Sequence, residues 1–187
     1  MKKVLVVLAV LAVAGIANAD LVFDNADFEN GLTGWGLAGD LAFSSPATGG
    51  NPGGYGIMDQ TSSGGWGVMV ATDAGIPLAS LGLTAGETYT FTMDMIQLAG
   101  TGNAGLKLES WAGGGNLDYT PDMTVPITSE WATYSWDYTI NAAADAIKCV
   151  AIWGGGSSVG YDNLSVVPEP TTMALLGLGA LVLRRKK

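Results

Sequence analysis

The sequence predicts an all-β protein, an antiparallel two-sheet sandwich of short strands. Three observations carry this. Residues 88–95 read Thr-Tyr-Thr-Phe-Thr-Met-Asp-Met and residues 133–140 read Thr-Tyr-Ser-Trp-Asp-Tyr-Thr-Ile, so each segment has one apolar and one polar face. Six Trp and six Tyr are interleaved with 28 Gly, 25 of which fall within residues 20–167. Such a chain is punctuated by tight turns into many short strands. No stretch of 20–167 gives a convincing helix.

Both flanks read differently from this body. Met1-Lys2-Lys3 is basic, Val4 to Ile16 is apolar, and Ala17-Asn18-Ala19 is a small-x-small site. That is a signal peptide over 1–19, cut after Ala19, with the apolar run as its helix. The domain is then 20–167, 148 residues, enough to bury roughly 70% of the unfolded surface. Export bears on Cys149, the one cysteine, which is expected buried and unreactive.

Taken in order, the first strand is Leu21 to Asn25, followed by a turn-rich stretch around Phe28 and Trp35. Gly36 to Ser44 reads as a second strand and Ser45 to Gly54 as a Pro/Gly loop. Tyr55 to Thr61 and Trp66 to Thr72 read as a pair of strands around Ser62-Ser63-Gly64-Gly65, and Asp73 to Gly86 as a long connection. Glu87 to Leu98 is the clearest strand, and Leu106 to Trp111 alternates likewise before Gly113-Gly114-Gly115. Met123 to Thr128 contains Pro126 and so reads as an edge. Thr133 to Ile140, Ala146 to Trp153 (apolar enough to be buried on both faces) and Val159 to Val167 complete about ten strands.

Charge narrows the function. Of eight Lys and Arg, six lie in the two flanks, leaving Lys107 and Lys148 against sixteen acids, a net −14 for the domain. That field argues against nucleic acid and anionic lipid. Histidine is absent, which removes His-based triads and the usual zinc sites and leaves calcium as the first metal to consider.

Pro168-Glu169-Pro170 opens the tail, Thr172 to Leu183 is apolar and uncharged, and Arg184-Arg185-Lys186-Lys187 ends it. An apolar run capped by cations is a stop-transfer pattern. As a helix its twelve residues rise about 18 Å, short of the ~30 Å hydrocarbon core, so a short transmembrane helix here suits a transient anchor. This tail resembles the PEP-CTERM sorting signal of bacterial exported proteins. The resemblance implies secretion machinery and an exosortase-type membrane protease as partners and cleavage near Pro168, Glu169 and Pro170. It also implies passing inner-membrane anchorage with Arg184 and Arg185 cytoplasmic, and delivery to the outer surface or the extracellular matrix.

Within the domain, Asn25…Phe28-Glu29…Gly31-Leu32…Gly34-Trp35, then Ala85-Gly86-Glu87-Thr88-Tyr89-Thr90-Phe91, Trp131…Tyr134-Ser135 and Tyr161-Asp162-Asn163-Leu164 follow in order. Together they resemble carbohydrate-binding modules with the galactose-binding-like β-jelly-roll fold. The resemblance implies a structural Ca2+ where the first and last strands meet, at Glu29 and Asp162 with Asn25. Asn163 departs from it, standing where many relatives have a second acid. Phe28, Trp35, Tyr89, Phe91, Tyr134 and Trp136 belong to the core by their alternation. A sugar platform needs exposed aromatics, for which Trp111, on the polar face of its strand, comes first, then Trp66 and Tyr55. Asp94, Gln97 and Glu109 are candidate hydrogen-bonding partners.

The expected function is that of a non-catalytic exported surface or matrix protein whose module binds extracellular polysaccharide, or else an adhesive or structural envelope protein binding none. A glycoside hydrolase using two carboxylates such as Asp94 and Glu109 is the third reading, since nothing in the sequence fixes their separation.

Overall fold

The structure, a computed structural model, describes residues 21–59, 67–154 and 156–168. The expected signal helix with Ala17 and Ala19, Trp66, and the tail beyond Pro168 lie outside these residues. Among the described residues no helix is long and apolar enough to cross a membrane.

Twelve strands and one 3-10 turn, Leu78–Leu81, make up the described elements. Sheet A contains β3 (Ala42–Ser44), β4 (Gly56–Asp59), β12 (Ser157–Pro168), β6 (Thr88–Gly100) and β10 (Ala132–Thr139), with β1 (Leu21–Val22) also on β12. Their order is β10-β6-β12-β4-β3. Sheet B runs β2 (Trp35–Gly39), β5 (Gly67–Pro77), β11 (Ala146–Gly154), β7 (Asn103–Ala112) and β8 (Gly115–Tyr119), with β9 (Met123–Pro126) also on β7. Every pairing is antiparallel.

The alternation places the core as expected. Phe91, Met93 and Met95 of β6 are fully buried, as are Leu106 and Leu108 of β7 and Ile147 and Cys149 of β11. Burial pushes the Cys149 thiol well above its ordinary range, consistent with a packing role. Tyr161 of β12 crosses the sandwich and donates its hydroxyl to the carbonyl of Ile152 at 2.9 Å. Phe28 and Trp35 stack at 4.5 Å and 14°, closing one end of the core. Met123–Pro126 pairs only with β7, the edge position that Pro126 suggested.

Four expectations differ from the structure. The strand expected over 36–44 is two, β2 in sheet B and β3 in sheet A, parted at Gly39 with its φ of 105°. In their described residues the strands expected over 55–61 and 66–72 do not pair: β4 bonds to β3 and β12, and β5 to β2 and β11. Alternation records which face of a strand is buried, not which neighbour takes its hydrogen bonds. The connection after residue 73 is instead a continuation of β5 to Pro77. Gly113-Gly114 does not simply end β7 but turns it into β8. Both glycines have positive φ (56° and 81°), which a tight two-residue hairpin requires.

Candidate functional site

The sandwich has two outer faces, and they differ in what covers them. On sheet A, hydroxyls pair across strands: Thr88 with Thr139, Thr90 with Asp137 and Thr92 with Ser165, each at 2.7 Å. Next along β6 is Asp94, directly opposite Asp162 of β12. Both point away from the core, yet they are 6% and 0% exposed, so something sits over them.

The cover is the loop over residues 45–55. Asn51 donates its backbone N–H to Asp162 Oδ2 at 2.6 Å and its side-chain amide to Asp94 Oδ2 at 3.0 Å. Asn163, at a bulge with φ 49°, donates its backbone N–H to Asp162 Oδ1 at 2.8 Å and its side-chain amide to Asp94 Oδ2 at 2.9 Å. Thr133 supplies a hydroxyl to Asp94 Oδ1 at 2.5 Å. Farther along, Gly54 donates to Glu29 Oε1 at 2.9 Å, and Trp131 Nε1 donates to the carbonyl of Gly49 at 2.9 Å. A Cβ on Gly53 would stand 1.7 Å from Glu29 Oε1, so only glycine lets the loop seat on that carboxylate.

Burial pushes the Asp162 carboxyl up to about 6. The N–H groups of Asn51 and Asn163 oppose that rise, and the charges of Asp94 and Asp27 add to it. Two acids facing each other under a loop thus have five donors around them and no cation.

This bears on calcium. Glu29 and Asp162, expected as ligands, spend oxygens on N–H groups of Gly54, Asn51 and Asn163. Asn25, the third, holds its own turn: its amide donates to the carbonyls of Gly31 and Thr33, and its Oδ1 accepts from Asn30. Among the described residues no group of three or more His, Cys, Asp or Glu is placed to hold a metal. The donor set as arranged is an amide cradle.

Sheet B is different. Its outward residues form a strip across four strands. Val68 and Val70 of β5 and Val150 and Ile152 of β11 floor a shallow depression of about 300 Å3. Lys107 and Glu109 of β7, Lys148 of β11 and Asp122 form its sides. Beyond the lysines stand two aromatics. Lys148 Nζ lies 3.9 Å from the centre of the Trp111 ring, and Lys107 Nζ lies 4.5 Å from that of Tyr119. Glu109 ties the group together, pairing with Lys107 at 2.9 Å and accepting from Trp111 Nε1 at 2.9 Å.

The expected site residues therefore separate. Trp111 and Glu109 share this strip. Asp94 lies beneath the loop on the opposite outer face, and Asp94 and Glu109 cannot flank one bond. Gln97 also sits on sheet A, its amide turned to the carbonyl of Gly100. Tyr55 is part of the loop cover, edge-on to Trp131 at 5.5 Å, with its ring over Gly160. Trp66 is outside the described residues. Sequence reasoning did not place Tyr119, Lys107 or Lys148 at a site. The signal was present, because these are the only two cations of an acidic domain and both fall on one face.

Comparison with known proteins agrees with both parts of the chain. Residues 166–187 match the PEP-CTERM protein-sorting motif. No curated protein sequence matches the chain. The fold is similar to carbohydrate-binding jelly-roll domains. One is the CBM22-1 xylan-binding domain of Paenibacillus barcinonensis Xyn10C: TM-score 0.60, 15% identity, 81% of this chain and 97% of that one. Another is the Clostridium thermocellum Xyn10B structure, CBM22-1 and GH10 modules with xylohexaose: TM-score 0.60, 16% identity, 81% of this chain but 29% of that one. The enzymatically active domain of bacteriophage CBA120 tailspike protein 4 gives TM-score 0.61 at 9% identity, over 78% of this chain and 21% of that one. At these identities the likeness establishes the fold.

Proposed function

We propose that the protein is exported, processed at its tail by an exosortase-type protease, and displayed at the cell surface or in the matrix, where its sandwich binds polysaccharide without cleaving it. The observation that carries the binding reading is the strip on sheet B, with Trp111, Tyr119, Glu109 and two lysines beside an apolar-floored depression. Sugars present C–H faces that stack on aromatic rings and hydroxyls that bond to carboxylates and ammoniums. A long strip suits a chain polymer better than a single sugar. The reading without cleavage is supported by the separation of Asp94 and Glu109 onto opposite faces, and by the three donors that bond Asp94.

Affinity electrophoresis through gels containing xylan, mixed-linkage β-glucan or the host's own exopolysaccharide tests this. Xylan comes first because a solved structure of like fold is a xylan-binding domain. Wild type should be retarded, and Trp111→Ala should lose most of the retardation while melting normally. No retardation in any polymer favours an adhesive or structural role. Release of reducing sugar overturns the non-catalytic reading.

A further inference from the structure

The strip is partly closed as it stands. Each of its aromatic rings has one of the domain's own cations against it, Lys148 on Trp111 and Lys107 on Tyr119, although Tyr119 stays 62% exposed. The depression beside them is lined by the lysines, with the rings behind. Lys107 is held twice over, by Glu109 at 2.9 Å as well as by its ring. Lys148 is held on its ring, from a strand position directly opposite Glu109. Glu109 in turn fixes Trp111 through the indole N–H. Lysine is normally the most solvated of side chains, and here neither of the two in the domain is spent on water alone.

We propose that Lys148, with Lys107 in the same role on the neighbouring ring, is a specificity-determining gate: it occupies the ring face on which a sugar would stack, so a glycan binds only by displacing it. This rests on the reading of the strip as a polysaccharide site. The gate discriminates by contact area. A short or poorly stacking sugar does not repay the loss of the ammonium–ring contact, whereas a chain engaging both rings does. An exposed contact of this kind sets a modest threshold, a factor of about two to five in affinity per ring.

The test is retention of the purified full chain on xylan and on mixed-linkage β-glucan, with Lys148→Ala, Lys148→Gln and Lys148→Arg beside wild type. Lys148→Ala and Lys148→Gln should bind about two- to fivefold tighter than wild type. Lys148→Arg, whose planar cation stacks on the ring at least as well, should bind no tighter than wild type. All three should melt as wild type does, so a gain cannot be a folding effect. If Lys148→Gln and Lys148→Ala bind more weakly, Lys148 is a direct sugar contact and the gate is refuted, even though the polysaccharide site stands. If wild type and Trp111→Ala bind nothing while Lys148→Gln binds, the gate is supported in its strongest form. If no variant binds either polymer, the reading of the strip fails and takes the gate with it.

Discussion

Asp162 shows how far one residue's behaviour depends on partners distant in sequence. Its carboxyl is held near 6 when folded, against 3.8 ordinarily, so the folded state binds that proton more tightly. The stability this gives is complete below about pH 4 and is lost as pH rises through 6. Urea melts across that window should show wild type losing up to about 3 kcal/mol relative to Asp162→Asn, which has no such proton to lose. Below about pH 4 the variant is the less stable of the two, because one of the two N–H groups from Asn51 and Asn163 then meets an NH2 instead of an oxygen. Parallel pH profiles in the two proteins would exclude the assignment. Asp162 was recognisable in the sequence by its place in a closing strand. Its environment was not: the donor that covers it is 111 residues away, in a loop whose composition announces only flexibility.

At the scale of elements, the sheets are locked together at one end by a polar cluster. Ser110 of β7 and Tyr138 of β10 meet at 2.6 Å, Tyr138 donates to Asp118 of β8 at 2.8 Å, and Asn141 donates to Asp118 at 2.7 Å. Burial alone raises the Asp118 carboxyl, but the donors from Asn141, Tyr138 and Ser110 outweigh it and hold it below its ordinary value. Burial, with Asp118 adding to it, drives the Tyr138 hydroxyl up to about 12, so it stays a donor. Tyr138→Phe should cost about 1–2 kcal/mol in denaturant unfolding, since it strips a partner from buried Ser110 and from half-buried Asp118. A loss below about 0.3 kcal/mol would mean that water replaces the hydroxyl. This cluster was hidden by the missed strand. Reading Gly113 to Gly115 as a terminator removed β8, and Asp118 with it. By contrast β6 and β10 were legible almost residue for residue, because their period of two is set by burial, which the sequence encodes directly. The partition of β4 and β5 between sheets was not, since hydrogen-bonding partners leave no mark on composition. Trp111 and Glu109 were legible as outward-facing residues on one strand face. Of their lysine neighbours, Lys107 shares their strand face, and Lys148 comes from register with β11, which no local pattern reveals.

For the whole molecule, the question is what joins the ends of a domain of net charge −14. The described residues answer with amide donors: residues 49–54 bridge Glu29 near the start to Asp162 near the close. A structural ion at a hundred times its Kd adds about 2.7 kcal/mol, roughly 5–10 °C for a chain of this size. The melting midpoint should therefore move by less than about 2 °C between calcium and chelator at equal ionic strength. A shift of the larger size would support the calcium expectation. The last strand has a different bearing on the protein's life. The sorting motif begins at residue 166, while Val166, Val167 and Pro168 are still paired with Phe91, Thr90 and Tyr89 in the middle of sheet A. Scissile backbone must be unpaired to enter a protease, so the address label and the keystone strand overlap by three residues. Once the sandwich has closed, the first of those positions are withdrawn from attack, and any trimming is pushed outward past Pro168, where it can discard the tail without unlacing the sheet.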